Sequence, residues 1–396
     1  MADPRGPRPH RRNPVRTRVL GLALGLSLLT SAMAGCSESP ADPAGLPRAS
    51  ADAATAVVER FVADGHAPGA IIEVSTPEGT WSHTAGDAST SPATPMSPPL
   101  QHRIGSITKT FTTTLILQLV DEGKLGLDDP VSRFVDGVPG GDQITIRMLG
   151  TMTSGLSEYL ANPEFRAAFF ADPHRVWKPQ ELLDASYALG PQFPPGTDSA
   201  YSNANTVLLG LVVENVESRP FGEVLTEKIL RPQQLVHTEW PDGDGFSEEH
   251  VSGYTALFPG AEVTDSTTWS PSQAYSAGQM TSTAGDLTTW ARLVGSGALV
   301  SPELQQERMQ WQRLGDNTDE WHYTFGLEEN TGWIGHNGAI PGYMSYAVYN
   351  PTLDATIVTL INGDESIDGE PPVNVLLRDV SRALFPDNPV VVPVVR

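Results

Sequence analysis

Apolar residues recur at Ile107, Phe111, Leu115 and Leu119. That four-residue step predicts a helix with one buried face, starting near Ser106 and ending near Gly123. Ala54, Val57, Val58, Phe61 and Val62 predict another helix within 52–64. Residues 69–74 and 80–85 read as two strands joined at Pro77-Glu78-Gly79, a hairpin. Four prolines make 86–103 a loop. Thr145 heads a helix within 144–152, closed by Thr153-Ser154-Gly155-Leu156, and Pro179 suits the first turn of a helix within 173–187. Residues 193–196 read as a loop, 207–216 and 221–230 as helices, and 237–275 as a loop with short strands. Thr283 is placed to cap a helix through Trp290 and Leu293. The pattern then changes: 324–327, 332–336, 343–349 and 355–361 are β-rich, with turns at 337–342 and 350–351 and a closing helix over 373–384. Strands at both ends with helices between predict an α/β (α+β) fold. Its antiparallel sheet comes from the N- and C-terminal parts, flanked by helices, and a mostly helical lobe is inserted over about 115–290.

The chain has 396 residues, 39% of them hydrophobic, enough for a large core. Its formal net charge of −22 argues against nucleic-acid binding and against attraction to an anionic membrane surface. Cys36 is the single cysteine, so no intrachain disulfide and no cysteine-based zinc site can form. Before it come an Arg-rich start, an apolar run over 19–29 and Met33-Ala34-Gly35-Cys36. This is the layout of a secretory signal peptide. The small residues before Cys36 resemble a bacterial lipobox, which implies cleavage after residue 35 and a lipid on Cys36. The chain is then expected to be secreted and held on the outer face of the cytoplasmic membrane through that lipid. Polar, proline-bearing residues 36–50 read as a tether, and 51–390 as the folded domain.

Three short stretches carry chemistry. Ser106 and Lys109 are three apart, so both lie on one side of a helix. The backbone N–H groups of a helix start lack intrahelical partners and suit an oxyanion. A lysine one turn away can activate the serine, which is otherwise a weak nucleophile. Alone, the pair fits a capping serine and a solvated lysine better. Tyr201-Ser202-Asn203 precedes a helix. A phenol beside the Lys109 ammonium is expected to ionise more easily and to move protons for Ser106, while the Asn203 amide can hold a substrate carbonyl or fix Lys109. Gly335-His336-Asn337-Gly338-Ala339 ends a strand. Gly338 permits close backbone approach, and the Ala339 N–H can face that of Ser106 as a second oxyanion donor. A plain hairpin turn is the alternative for this stretch.

Together the three stretches discriminate. Among only four lysines, Lys109 alone has a serine three residues before it, and among nine tyrosines Tyr201 alone has an asparagine two residues after it. The chain resembles the serine penicillin-recognising superfamily over about residues 52–385. The branch is that of class C β-lactamases, D-alanyl-D-alanine carboxypeptidases, D-aminopeptidases and related esterases. Ser106-Ile107-Thr108-Lys109, Tyr201-Ser202-Asn203 and His336-Asn337-Gly338 match its three motifs. The resemblance implies that Ser106 attacks a carbonyl with help from Lys109 and Tyr201. The amides of Ser106 and Ala339 would hold the oxyanion, and Asn203, His336, Asn337 and Gly338 would bind substrate. It implies no metal and no organic cofactor.

The third motif starts with His336 where β-lactamases of this branch carry lysine. A largely neutral histidine holds a substrate carboxylate less strongly. Met152 stands where many relatives have histidine, with a packing effect expected. The expectation is therefore a monomeric serine hydrolase acting on a small-molecule or peptide substrate, in the manner of a D-alanyl-D-alanine carboxypeptidase at the cell wall. An esterase or weak β-lactamase is the nearest alternative. A catalytically silent penicillin- or peptidoglycan-binding lipoprotein is the alternative from another class. No Gly-x-Ser-x-Gly elbow and no His-Glu-x-x-His occurs, which disfavours a Ser-His-Asp hydrolase and a zinc protease.

Overall fold

The computed structural model describes residues 45–241, 243, 245–257, 262–311, 314 and 321–392. Cys36 and the expected signal peptide lie outside the described residues. Leu46 is buried and helix α1 (Arg48–Ala63) begins four residues earlier than its apolar spacing indicated, so the last part of the expected tether is folded.

Eight antiparallel strands form the main sheet. They are β1 (Gly69–Thr76), β2 (Gly79–Thr90), β3 (Ala93–Pro95), β4 (Trp321–Tyr323), β5 (Glu328–Asn330), β6 (Trp333–Ile340), β7 (Tyr343–Asn350) and β8 (Ala355–Ile361). Their order is β3-β2-β1-β8-β7-β6-β5-β4, so the N-terminal hairpin joins the C-terminal meander through β1 and β8. Period-two alternation divides the core between the two faces. Ala70, Ile72 and Val74 of β1, with Tyr346, Val348 and Ile357, pack in the core that also holds α1 and helix α10 (Pro372–Leu384). Ile71, Ala347, Tyr349, Val358 and Leu360 face the larger core of the helical side. Strand β8 is buried throughout, which explains its unbroken run Ile357-Val358-Thr359-Leu360-Ile361.

The other helices are α2 (Thr108–Asp121), α3 (Ile146–Gly150), α4 (Pro163–Ala171), α5 (Pro179–Tyr187), α6 (Asn203–Glu217), α7 (Phe221–Leu225), α8 (Ala284–Ser296) and α9 (Pro302–Arg308). Helix α8 lies on β1, β7 and β8, so the inserted helical lobe ends before it, short of residue 290. Phe111 of α2 stacks on Trp290 of α8 with centroids 3.8 Å apart, and the Trp290 indole donates to Thr110 Oγ1 at 2.7 Å. These contacts fix the start of α2 against the sheet.

Three sequence readings need correction. Residues 86–90 continue β2 and 93–95 form β3, so much of the loop expected over 86–103 is strand. Residues 324–327 connect β4 to β5 instead of forming a strand. Residues 337–340 continue β6, paired with β7 through Ile340↔Tyr343, so the hairpin turn is only Pro341-Gly342.

Candidate active site

Ser106 sits in a 3-10 turn, Gly105–Ile107, that runs directly into α2. This turn packs on β6 through two glycines. Gly105 has φ +50°, and a Cβ there would stand 2.6 Å from the backbone nitrogen of Ala339. A Cβ on Gly338 would stand 2.0 Å from the carbonyl oxygen of Ile104. Both contacts are too close for any side chain, so the glycines let the Ser106 turn reach the strand that carries Ala339.

Tyr201 and Asn203 arrive at the start of α6. The Ala200 N–H donates to Met152 O at 3.0 Å, and the Ser202 hydroxyl donates to Ser157 O at 3.1 Å. Met152 is buried against Tyr201, Tyr323 and Leu314, the packing role expected for it.

The first two motifs meet at Ser106, and the third packs behind its turn through Gly338. Lys109 Nζ donates to Ser106 Oγ at 2.8 Å, to Asn203 Oδ1 at 2.6 Å and to Ala277 O at 2.8 Å. The Tyr201 phenol donates to Ser106 Oγ at 3.0 Å. Lys109 is completely buried. Burial favours its uncharged form and lowers its pKa to about 7, against the opposing field of the Glu158 and Glu328 carboxylates. A lysine at that value is half unprotonated near neutral pH and can accept a proton from the Ser106 hydroxyl.

Tyr201 departs from expectation. Burial pushes its phenol well above the ordinary value, and the Glu328 and Glu158 charges push the same way. The hydrogen bond to Ser106 only partly opposes this. The phenol is therefore a proton donor at neutral pH. The expected easing of its ionisation by the lysine fails because burial and the two carboxylates outweigh it.

His336 also departs from its assigned part. It is fully buried, and its Nδ1–H donates to the carbonyl of Asn337 at 2.6 Å. Its Nε2 faces the Tyr323 hydroxyl at 3.4 Å. Burial, reinforced by the Lys109 charge, holds its pKa down at about 3. The imidazole is neutral and supplies no cation for a substrate carboxylate. Tyr323 stands edge-on to both Tyr201 and His336, at 6.0 and 5.7 Å between centroids.

A cavity of about 420 Å³ opens beside Ser106. Ser106, Asn203, Ala277 and Ala339 line its reactive end. From β6 and its turn the wall is made by Ala339, Ile340 and Pro341, not by His336, Asn337 or Gly338. Asn337 lies opposite Tyr346 in the β6–β7 register, and its contact with the motif is the carbonyl that accepts from His336. Phe165, Phe169 and Phe170 of α4 make part of the wall apolar, and Arg166 of the same helix lines it as an exposed residue. Asp364 and Ser366, after β8, complete it.

Sequence reasoning missed several of these groups. Glu158 accepts from the backbone and side-chain nitrogens of Asn203, and Ala277 supplies a carbonyl to Lys109. Helix α4 was readable from Asn162-Pro163, a capping residue followed by the proline of a first turn. Glu158 and Ala277 carry no such local signal, since each contact spans tens of residues or more.

The sequence model described as Beta-lactamase matches residues 54–382. "Protein flp" of Staphylococcus aureus is 26% identical over 324 residues, covering 77% of this chain and 62% of its own length, so the chain spans under two thirds of that relative. The crystal structure of a D-stereospecific amidohydrolase from Streptomyces sp. is 32% identical, with a TM-score of 0.76 over 84% of this chain and 98% of that one. The D-amino acid amidase from Ochrobactrum anthropi SV3, complexed with L-phenylalanine amide, is 25% identical, with a TM-score of 0.77 over 85% of this chain and 99% of that one. Both the family match, which spans most of the chain, and the likeness of fold lead to one conclusion: this chain belongs to the Beta-lactamase family, within the β-lactamase/transpeptidase-like serine hydrolase superfamily.

Proposed function

We propose that this protein is a serine acyl-enzyme hydrolase of amide bonds, with Ser106 as nucleophile and D-configured acyl donors as substrates. The observation that carries the reading is the triangle of Lys109 Nζ and the Tyr201 phenol on Ser106 Oγ, at 2.8 and 3.0 Å. Uncharged Lys109 takes the Ser106 proton as Oγ bonds to the carbonyl carbon. The N–H groups of Ser106 and Ala339 receive the oxyanion. The C–N bond breaks as the leaving nitrogen takes a proton from the Tyr201 phenol, which is replenished by the Lys109 ammonium. Water then adds to the acyl-serine, and the same groups return the proton to Ser106 Oγ as the acid leaves. Support for D-configuration is the similarity to the Streptomyces D-stereospecific amidohydrolase and the Ochrobactrum D-amino acid amidase.

A second reading is D-alanyl-D-alanine carboxypeptidase action on cell-wall peptides. Arg166 favours it, as an exposed residue lining the cavity whose guanidinium suits a terminal carboxylate. A panel of D-amino acid amides, D-alanyl-D-alanine peptides, short esters and β-lactams, with Ser106→Ala as blank and intact-mass detection of the acyl-enzyme, separates the readings. Turnover by Ser106→Ala equal to wild type would exclude the mechanism. Acylation without any turnover would instead favour a silent binding protein. Lys109→Ala and Tyr201→Phe are each expected to slow acylation roughly 10²-fold or more.

The same proposal includes a lipid on Cys36 that holds the enzyme at the outer face of the cytoplasmic membrane. Mass spectrometry of the native N-terminus tests it, and an unmodified Cys36 thiol would refute it.

A further inference from the structure

One charged group of the cavity has no part in the chemistry above. Asp364 follows β8 and lines the same cavity as Ser106. Its carboxylate is held rigidly by three neutral donors. Thr255 Oγ1 and the Gly342 N–H donate to Oδ2 at 2.6 and 2.8 Å, and the Ala256 N–H donates to Oδ1 at 2.7 Å. Among the described residues no ion pair involves Asp364, and its side chain is only half buried. An ionised carboxylate has about four acceptor positions, so three donors leave one open and the charge uncompensated. The surroundings are apolar. Phe169, Leu257 and Met344 share the cavity with it, and Leu160 and Leu257 reach solvent at the rim with 41% and 44% exposure. A fixed negative charge on a half-buried, largely apolar wall attracts a cation more strongly than the same charge in bulk water.

We infer that Asp364 is the ammonium-binding residue of the acyl-donor subsite. The substrate class is amides of unblocked amino acids with a large apolar side chain. The inference rests on the acyl-enzyme reading of Ser106. The aromatic wall takes the side chain, Asp364 takes the free amino group, and the carbonyl between them is offered to Ser106. The enzyme is then amino-exo: an acylated or internal residue loses the charged contact.

Three p-nitroanilides sharing one skeleton test this near pH 7: D-phenylalanyl, N-acetyl-D-phenylalanyl and 3-phenylpropanoyl. The last lacks the amine without adding bulk, so it separates charge from size. The wild type should favour the free amine over both by roughly tenfold or more in kcat/KM, the scale of one hydrogen bond to a charged group. Asp364→Asn should bring that ratio close to one. Equal rates in the wild type, no turnover of the free amine, or a ratio unchanged in Asp364→Asn would each overturn the inference. Asp364 also ties residues 255–256 to the β6–β7 turn, so its substitution can disturb folding. In that case the wild-type ratio alone decides. Turnover that survives Ser106→Ala is a separate failure, of the acyl-enzyme reading.

Discussion

Glu158 Oε2 accepts from both nitrogens of Asn203, the backbone N–H at 2.7 Å and the amide Nδ2 at 2.9 Å. This double contact leaves Asn203 Oδ1 as the only side-chain atom that can face Lys109, where it accepts from Nζ at 2.6 Å. Reversing the amide would set two donors against the lysine. The Glu158 charge also favours the protonated lysine, opposing the effect of burial. Glu158 is thus a positioning residue with two separable effects. Replacing it by glutamine should lower maximal kcat/KM roughly tenfold, the scale of one charged hydrogen bond. It should also move the acidic limb of the pH profile downward, because a field that raises the lysine pKa is gone. A purely structural role would lower the rate and leave the limb in place.

The lysine itself sets that limb. Its pKa is drawn down to about 7, and only its uncharged form can accept the Ser106 proton. Activity should therefore fall as pH drops through about 7 and level off above it. Tyr201 is held protonated well above pH 10, so its ionisation should impose no loss across the neutral and mildly alkaline range. Measuring kcat/KM from pH 3 to 9 checks both statements. Lys109→Arg should be inactive at every pH, since a guanidinium stays protonated. A limb near 4 in the wild type would mean that a carboxylate is the base.

His336 makes the opposite prediction. Its imidazole stays neutral until about pH 3, so it should contribute nothing to the profile near the usual histidine value. His336→Asn should change packing against Tyr323 and lower stability, by about 1–3 kcal/mol for a buried polar group whose partners are lost. The midpoint of the acidic limb should stay within a few tenths of wild type. A shift of a full unit would show that His336 carries charge in the working enzyme.

The trio was legible because each motif is local: Ser106 and Lys109 share one helical turn, and Tyr201 and Asn203 flank Ser202. Strand β8 was legible to the residue because its apolar run has sharp ends. What failed was long-range. The ladder with β7 carries β6 through Gly338, where Pro341 and two glycines nearby read as a longer turn. Burial of Lys109, Tyr201 and His336 decides their protonation, and neighbours far apart in the chain cause that burial. The Asp364 side of the cavity was invisible for the same reason, since its three donors come from residues 255, 256 and 342.

Gly338 offers a steric test of how Ala339 is presented to Ser106. Its φ is negative or extended, so alanine is not excluded by backbone conformation. The obstacle is contact alone: the new Cβ would stand 2.0 Å from Ile104 O and 2.3 Å from Ser345 Oγ. The Ile104 contact is backbone immediately before the Gly105–Ile107 turn, so relief requires β6 and that turn to separate. Such overpacking costs about 1–3 kcal/mol. Gly338→Ala should lower Tm accordingly and slow acylation by roughly 10²-fold, the loss typical of one oxyanion donor. Gly123→Ala is the matched control. Gly123 has φ +70° with nothing within 4 Å, so alanine there strains the backbone far from Ser106. It should lower Tm and leave acylation intact. If Gly338→Ala acylates at the wild-type rate despite a lowered Tm, the Ala339 amide has no part in holding the oxyanion, and the second donor must be sought elsewhere around Ser106.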